Sequence, residues 1–357
     1  MPSYRTLAVA EILAARAGLQ RVLLADGSRA YNLVQLTGPV AVADEVVVNT
    51  TAVEMGLGTG GWHVVHWNLA HRDLPSTGGG HIMKMRYTSL QADVSSYGEQ
   101  EWRDEGTAGD GIGGDGTGGD GDELAGVPVV VCSLHSQMAV VAAAFAEAAP
   151  GRRMAYVMTD GAALPLVLSD LVADLCERGL LCATVTSGHA FGGDVEAVSV
   201  AAALVAARRV GRADAIVVAM GPGVVGTGTT LDTTALEVGP ILDIVGALGG
   251  TPVVCVRASD SDPRDRHRGL SHHTRTVLER FVQVRVRVPV PAGLDPEAMS
   301  MIAARHDVSV EVIPNPTALL AGHRLSVTTM GRSPAQDPLF FACAVAAGTL
   351  AGRILSL

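Results

Sequence analysis

Lysine, aromatic residues and long apolar runs are scarce in this sequence. Lys84 is the only lysine beside 25 arginines, and aromatic residues make up 4% of a chain that is 48% hydrophobic. The core must therefore be built mainly from Ala, Val and Leu. No run reaches the roughly 18 apolar residues that a membrane span needs, and the N-terminus lacks the pattern of a signal peptide. We expect a cytoplasmic protein without membrane contact.

Cysteine is also too sparse to organise the fold. The five cysteines are an odd number, and no spacing among them is typical of a zinc site or a disulfide framework. We expect reduced thiols, and the sequence identifies no cofactor.

The negative charge is concentrated in one segment. Glu99–Glu123 contains nine acidic residues and one arginine, a net charge of −8 out of −10 for the whole chain. The remainder is therefore near neutral, with no basic patch of the kind that neutralises a nucleic-acid backbone. We expect no nucleic-acid partner.

Residues 1–96 have the pattern of a β-rich, barrel-like domain. Short runs of strand-forming residues are separated by turn signals, and they lie at Gln20–Leu24, Ala30–Leu36, Glu45–Asn49, Trp62–Asn68 and Ile82–Tyr87. A helix is predicted at Leu7–Ala17. Residues 97–126 are rich in Gly and Asp and lack apolar periodicity, which predicts a disordered linker or loop.

From residue 127 to 357 the pattern changes to apolar strands that alternate with helices. The predicted strands are Val127–Cys132, Ala155–Met158, Leu181–Thr186, Ala213–Met220, Thr251–Val256, Val282–Val288 and Val308–Ile313. Their continuous apolar character indicates burial on both faces. This is typical of an α/β fold with a parallel, helix-flanked sheet in three layers. A C-terminal helix is predicted at Asp337–Ile354.

One stretch, Ala213–Thr234, combines a buried strand with a glycine-rich loop and leads into a helix. In an open α/β sheet, such a loop presents backbone N–H groups to a ligand at the carboxyl edge. The candidate ligand-binding residues in this loop are Gly221, Gly223, Gly226, Thr227 and Thr229. They predict a site for a small anion, with a phosphate-bearing molecule as the best candidate. The alternative is a tight turn that needs glycine for its backbone conformation.

Titratable residues follow several of the other strands at the same predicted edge. His135, Asp160 and His189 form a general acid–base group if they converge. Each histidine alone is more often a cap or turn residue than a catalyst, and Asp160 alone fits a helix N-cap. Arg264 is a candidate for binding a carboxylate or phosphate, and His272 and Lys84 are further ligand-binding candidates. Arg332 is an alternative to Lys84 for completing the site.

A metal site is a further alternative in the segment Asp265–His273. His267, His272 and His273 lie close together in the sequence, but neighbouring helical side chains point roughly 100° apart. A capped helix start at Ser271 is the simpler interpretation. The metal therefore stays unknown at this point.

Several motifs of this chain resemble those of a bacterial family of proteins of unknown function, domain of unknown function 3866. The motifs are NTTAVEMGLGTGGWH, GHIMKMRYTSLQ, MTDGAALPL, GHAFGGD, GPGVVGTGT and RHRGLSHHT. The resemblance extends over nearly the whole chain. It implies no activity, substrate or catalytic residue.

The leading hypothesis is a small-anion-binding protein, acting as a hydrolase or transferase if it is an enzyme. One alternative is a non-catalytic sensor or scaffold that contacts a protein partner. Another is a metal-dependent hydrolase that uses His267, His272 or His273. The composition is compatible with a symmetric homodimer.

Overall fold

The computed structural model describes residues 1–75, 78–99 and 123–356. The contacts divide the chain into two units, Met1–Ser95 and Ser96–Leu357. Most of the predicted Gly/Asp-rich linker, residues 100–122, lies outside the described residues.

The first unit contains a closed five-stranded barrel. Its strands are β1 Tyr4–Arg16, β2 Leu19–Leu24, β3 Arg29–Leu33, β4 Glu45–Asn49 and β5 Trp62–Asn68. They are joined in the order β1-β2-β3-β5-β4, and only the β3–β5 pairing is parallel. Two short helices, α1 Val34–Thr37 and α2 Thr51–Glu54, and a strand pair, β6 Ile82–Lys84 with β7 Ala92–Val94, complete the unit. The prediction of a small barrel is confirmed.

The predicted helix at Leu7–Ala17 is wrong, because this segment belongs to strand β1. Strand β1 pairs with β2 along one edge and with β4 along the other, which closes the barrel. The helix propensity of its alanines amounts to a few tenths of a kcal/mol for each residue, which tertiary contacts routinely override. The hydrogen bonds and the burial gained by closing the barrel outweigh it.

The second unit is built on an eight-stranded parallel sheet. The strands of this sheet are β8 Pro128–Cys132, β9 Met154–Thr159, β10 Ala183–Thr186, β11 Val195–Glu196, β12 Ala215–Met220, β13 Thr251–Cys255, β16 Arg287–Pro291 and β17 Asp307–Glu311. Between β13 and β16, the chain forms a separate antiparallel pair, β14 Ala258–Ser259 with β15 Gly269–Leu270. The strand order in the sheet is β11-β10-β9-β12-β8-β13-β16-β17. Its central strands are fully buried, as continuous apolar runs predict.

Helices cover both faces of this sheet. The helices are α3 His135–Ala148, α4 Asp170–Glu177, α5 Val200–Arg209, α6 Val238–Ala247, α7 His272–Thr276, α8 Pro296–Ala303, α9 Pro316–Gly322 and α10 Pro338–Ile354. Helices α3, α4, α9 and α10 share one apolar cluster, whereas α5, α6 and α8 share the other. The predicted three-layer α/β fold is confirmed. No helix of the described residues is both long and apolar enough to span a membrane.

One sheet strand begins later than predicted. The predicted strand Val282–Val288 is replaced by β16 Arg287–Pro291, because a π-helical turn at Val277–Phe281 extends helix α7. Val282 and Val286 are buried without being in a strand. An apolar run alone does not distinguish these two kinds of burial.

Helices α3 and α10 pack unusually closely because two glycines on α10 face α3. A Cβ atom on Gly348 would lie 2.3 Å from the carbonyl oxygen of Val141 and 2.7 Å from the Cβ atom of Ala144. A Cβ atom on Gly352 would lie 2.7 Å from that of Ala148. These two glycines therefore allow the two helix backbones to approach each other.

The chain reverses its direction across the sheet at strands β8 and β12. These two strands are neighbours, yet α3 after β8 leads to β9 on one side and α6 after β12 leads to β13 on the other. The two helices also cover opposite faces. Such a topological switch point leaves a crevice at the carboxyl ends of its strands, and the glycine-rich loop begins there.

Candidate functional site

The glycine-rich loop after β12 folds back on itself as a short hairpin. The amide of Thr227 donates to the carbonyl of Asp232 (3.0 Å), and the amide of Thr234 donates to that of Val225 (2.9 Å). Gly223 and Gly228 have φ angles of 98° and 91°, a region that favours glycine. The turn alternative thus accounts for part of this sequence pattern.

Other backbone amides and hydroxyls of the loop are not used by the hairpin. Within the described residues, the amides of Gly223 and Gly228 donate no hydrogen bond. The hydroxyls of Thr227 and Thr229 lie 3.3 Å apart in an exposed position. Gly226 is held against Thr233 by the hairpin. The exposed groups that the predicted anion site would need therefore lie mainly in residues 227–229, which we call the outer turn.

The outer turn lies next to an arginine-rich segment. A Cβ atom on Gly228 would lie 3.0 Å from Nη2 of Arg266. The guanidinium group therefore packs against the turn at a position where a side chain would crowd it. This contact joins the glycine-rich loop to the segment after β14. The sequence offered no means of pairing these two stretches.

Asp262 is the centre of a cluster of ion pairs. It is 1% exposed and binds Arg264 through two bonds, Nε–Oδ1 at 2.9 Å and Nη2–Oδ2 at 2.8 Å. Nη2 of Arg332 lies 3.4 Å from Asp262 Oδ2, and Nη2 of Arg257 lies 3.9 Å from it. The hydrogen bonds from Arg264 hold the pKa of Asp262 well below its usual range. The carboxylate is thus always ionised near neutral pH.

A second buried carboxylate, Asp337, completes the cluster. It accepts a hydrogen bond from Nε of Arg332 (2.9 Å) and another from Oγ of Ser259 (2.8 Å). Three guanidinium groups, those of Arg257, Arg264 and Arg332, therefore share two buried carboxylates, and the charge of Arg266 acts on Arg257 beside them. Positive charge is in excess, and we call this group of arginines and aspartates the arginine cluster.

Three histidines adjoin the arginine cluster. One ring nitrogen from each of His267, His272 and His273 lies within 4.8 Å of the others. The structure differs here from the expectation that His272 and His273 point apart, because both rings turn toward His267, with ring centroids 4.9 Å away from its own. We call these residues the histidine triad.

The histidines of the triad are neutral near pH 7. Burial, followed by the neighbouring Arg257, lowers the pKa of His267 to about 3 and that of His273 to about 3. Burial and Arg266 also lower the pKa of His272. Neutral imidazoles retain both a donor and an acceptor nitrogen, and both are useful for binding a ligand.

A small cavity joins the triad to the switch point. It is lined by His273 and Thr274 on one side, by Ser133 and Cys255 at the ends of β8 and β13, and by Ala235 after the glycine-rich loop. The triad, the arginine cluster and the loop therefore belong to one region at the carboxyl edge of the sheet.

His135 is not part of that region's hydrogen-bond network. Its Nε2 lies 2.7 Å from Oγ of Ser169, and its Nδ1 lies 3.1 Å from the carbonyl oxygen of Met220. Burial lowers the pKa of His135 to about 4. These contacts join the start of α3 to the end of β12 and to Ser169.

The side chain of Asp160 contacts the backbone of His189. Oδ2 of Asp160 accepts a hydrogen bond from the amide of His189 at 3.1 Å. No hydrogen bond joins Asp160 to His135 within the described residues. The structure therefore does not assemble the predicted three-residue acid–base group through direct hydrogen bonds.

Glu237 is a titratable residue beside Asp160 that the sequence did not reveal. Its Oε1 accepts a hydrogen bond from the Thr159 hydroxyl at 2.7 Å. A Cβ atom on Gly161 would lie 2.6 Å from its Oε2. Burial raises the pKa of Glu237 from 4.5 to about 7, and the charge of Asp160 adds to this. A carboxyl group of this kind can exchange protons at neutral pH.

Glu237→Gln is expected to remove a pH dependence of stability. Between pH 4.5 and about 7, the native carboxyl holds a proton that the unfolded chain has released. The free energy of unfolding therefore falls as pH rises through this range, by at most about 3 kcal/mol. Urea denaturation across this pH range should show a smaller decline for Glu237→Gln. Glu177→Gln, at an exposed position, is the control, and an unchanged profile for Glu237→Gln would contradict the assignment.

The remaining predicted residues are distributed as follows. Arg264 and His272 lie in the arginine cluster and the histidine triad. Lys84 is buried on β6 in the first unit. Sequence reasoning missed Arg257, Asp262 and Glu237. The only signal for the first two was the high density of charged residues after β13.

The chain thus combines a closed β-barrel with a parallel α/β unit that carries a cationic cluster at its switch point. The model of the protein family of unknown function DUF3866 matches residues 29–348, so the chain belongs to this family, and the resemblance is confirmed. No curated protein and no solved structure gives a significant match.

Proposed function

We propose that this protein binds a small, phosphate-bearing anion at the carboxyl edge of its sheet, between the arginine cluster and the outer turn of the glycine-rich loop. The excess of guanidinium groups over buried carboxylates is the observation that carries the proposal. Arg257 is 4% exposed, and burial with the repulsion of Arg264 lowers its pKa to about 10. An anion would relieve this repulsion.

The donors of the site match the chemistry of a phosphate group. Guanidinium groups bind phosphate oxygens through two parallel hydrogen bonds. Arg266 is available for this purpose, since it forms no ion pair within the described residues. The neutral imidazoles and the amide of Gly228 add uncharged donors.

If the bound molecule reacts, hydrolysis or group transfer is the class of reaction that the surroundings favour. Glu237 lies one residue before α6, in the turn that also contributes Ala235 to the cavity. Its raised pKa suits a group that takes up and returns a proton. Asp160, whose charge acts on Glu237, also accepts a hydrogen bond from the backbone amide of His189.

Thermal unfolding in the presence of anions tests the proposal. Methylphosphonate, inorganic phosphate, sulfate and acetate are compared on the wild type, on Arg266→Met and on Arg268→Met as the matched control. At about 100 times its dissociation constant a ligand adds roughly 2.7 kcal/mol of stability. We expect stabilisation by the phosphorus dianions, and binding about 10–100-fold weaker in Arg266→Met, as for a lost charged hydrogen bond.

Arg268 is a suitable control because it lies in the same loop but, among the residues that the structure describes, pairs only with the exposed Asp265, at 3.7 Å. Equal loss of binding in both arginine variants would indicate non-specific charge attraction. No stabilisation of the wild type by any anion would overturn the proposal and favour the non-catalytic sensor or scaffold.

The convergence of the three histidines favours a second candidate, a metal-dependent hydrolase.

A further inference from the structure

We infer that the histidine triad is a binding site for a divalent cation of the Zn²⁺ type, and that the cation binds together with the anion of the proposed function. The first half of this inference stands on the triad alone. The second half, the coupling, rests on the proposed function.

The spacing of the triad is the first observation. One ring nitrogen of each histidine lies within 4.8 Å of the other two. A small movement of the rings toward each other would allow all three nitrogens to bind one ion at the Zn–N distance of about 2.0–2.1 Å. His267 and His273 are buried and His272 is half-buried. Three imidazoles leave a fourth position open, as in catalytic zinc sites.

The hydrogen-bond partners of the triad are the second observation. Nε2 of His272 is buried and has no partner in the described part of the chain. Leaving such a group unsatisfied is costly, and metal ligation would satisfy it. Nδ1 of His267 lies 2.8 Å from Oγ of Ser271. Donation from Nδ1–H to this oxygen leaves Nε2 of His267 free to ligate, as in many metal sites.

His273 explains why the cation should need an anion. Nη1 of Arg257 lies 3.2 Å from its Nδ1. Because a guanidinium group only donates, Nδ1 accepts and the proton of this neutral ring is on Nε2. His273 can ligate through Nε2 only after Arg257 releases Nδ1. An anion in the arginine cluster would attract Arg257 and allow the proton to move to Nδ1.

The charges around the triad lead to the same conclusion. The charges of Arg257 and Arg264 act on all three histidines, and that of Arg266 acts on His272 and His273, so a lone divalent cation would be repelled. A bound dianion offsets that repulsion. The donor set also defines the class of metal, since three neutral imidazoles suit Zn²⁺, Co²⁺ and Ni²⁺, whereas Mg²⁺ and Ca²⁺ prefer oxygen ligands.

Co²⁺ is a practical probe, because its visible absorption reports its coordination. Co²⁺ binding is measured by equilibrium dialysis and absorption, with and without the non-hydrolysable dianion methylphosphonate. Wild type, His272→Ala and His323→Ala are compared. We expect one Co²⁺ per wild-type chain, bound at least tenfold more tightly with methylphosphonate, and no competition by Mg²⁺. His272→Ala should lose the metal, whereas His323→Ala, whose ring pairs with Glu147 on α3, should keep it.

A separate measurement of methylphosphonate binding in the absence of metal, by thermal shift, distinguishes this inference from the proposed function. If methylphosphonate binds but Co²⁺ does not bind under either condition, the metal site is wrong and the proposed function stands. If Co²⁺ binds but methylphosphonate does not, the proposed function and the coupling fail while the metal site stands. Equal Co²⁺ affinity with and without methylphosphonate overturns the coupling. Undiminished Co²⁺ binding by a folded His272→Ala overturns the assignment of the ligands.

Discussion

Asp262→Asn is expected to lower the free energy of unfolding by about 3–5 kcal/mol, the usual effect of removing one partner from a buried ion pair. The amide keeps the shape of the side chain but removes the charge that Arg257, Arg264 and Arg332 share. Arg257 is almost fully buried, so water does not replace the lost carboxylate. The measurement is the denaturant midpoint at constant slope.

Asp265→Asn is the matched control for this substitution. Asp265 lies three residues away, and its side chain is 96% exposed in a pair with Arg268. An exposed ion pair contributes at most about 1 kcal/mol, so we expect almost no change. Equal effects of the two substitutions would contradict the role assigned to Asp262.

Gly348→Ala is expected to destabilise the second unit by about 2–3 kcal/mol, although alanine is the better helix former by about 1 kcal/mol. The new Cβ atom would lie 2.3 Å from a backbone oxygen of α3. A backbone oxygen inside a helix has little freedom to withdraw, so α3 and α10 would have to separate. Thermal and urea unfolding measure the loss.

Gly322→Ala gives the opposite expectation from the same exchange. Gly322 is the last residue of α9, and a Cβ atom there would meet nothing within 4 Å. This variant should be neutral or slightly more stable. Destabilisation of both variants to the same extent would show that contact with α3 is not the cause.

The local pattern of the sequence was sufficient for most of the fold. Runs such as Ala215–Met220 are apolar at every position, and this alone predicts a strand buried between two layers. The errors fall where a partner distant in sequence decides the outcome. Strand β1 is a strand because β2 and β4 flank it, and β16 begins late because the π-helical turn precedes it.

The candidate site was predictable in part for the same reason. A glycine-rich loop after a buried strand lies at the carboxyl edge in any parallel sheet, so its place followed from the sequence. The contact of Asp262 with Arg332, or of Glu237 with Thr159, joins residues more than 60 positions apart. No spacing rule reaches that far, so these contacts became visible only in the folded chain.

The strand order also sets a constraint on biosynthesis. Strand β8 leaves the ribosome first among the strands of the sheet, but its neighbours are β12 and β13. The backbone N–H and C=O groups along its two edges are therefore not both paired until the chain has been translated through Cys255. Pairings between such distant segments are intrinsically slow and leave nascent chains prone to aggregate. A ribosome that pauses before β12 would therefore hold a central strand of the sheet without either of its neighbours.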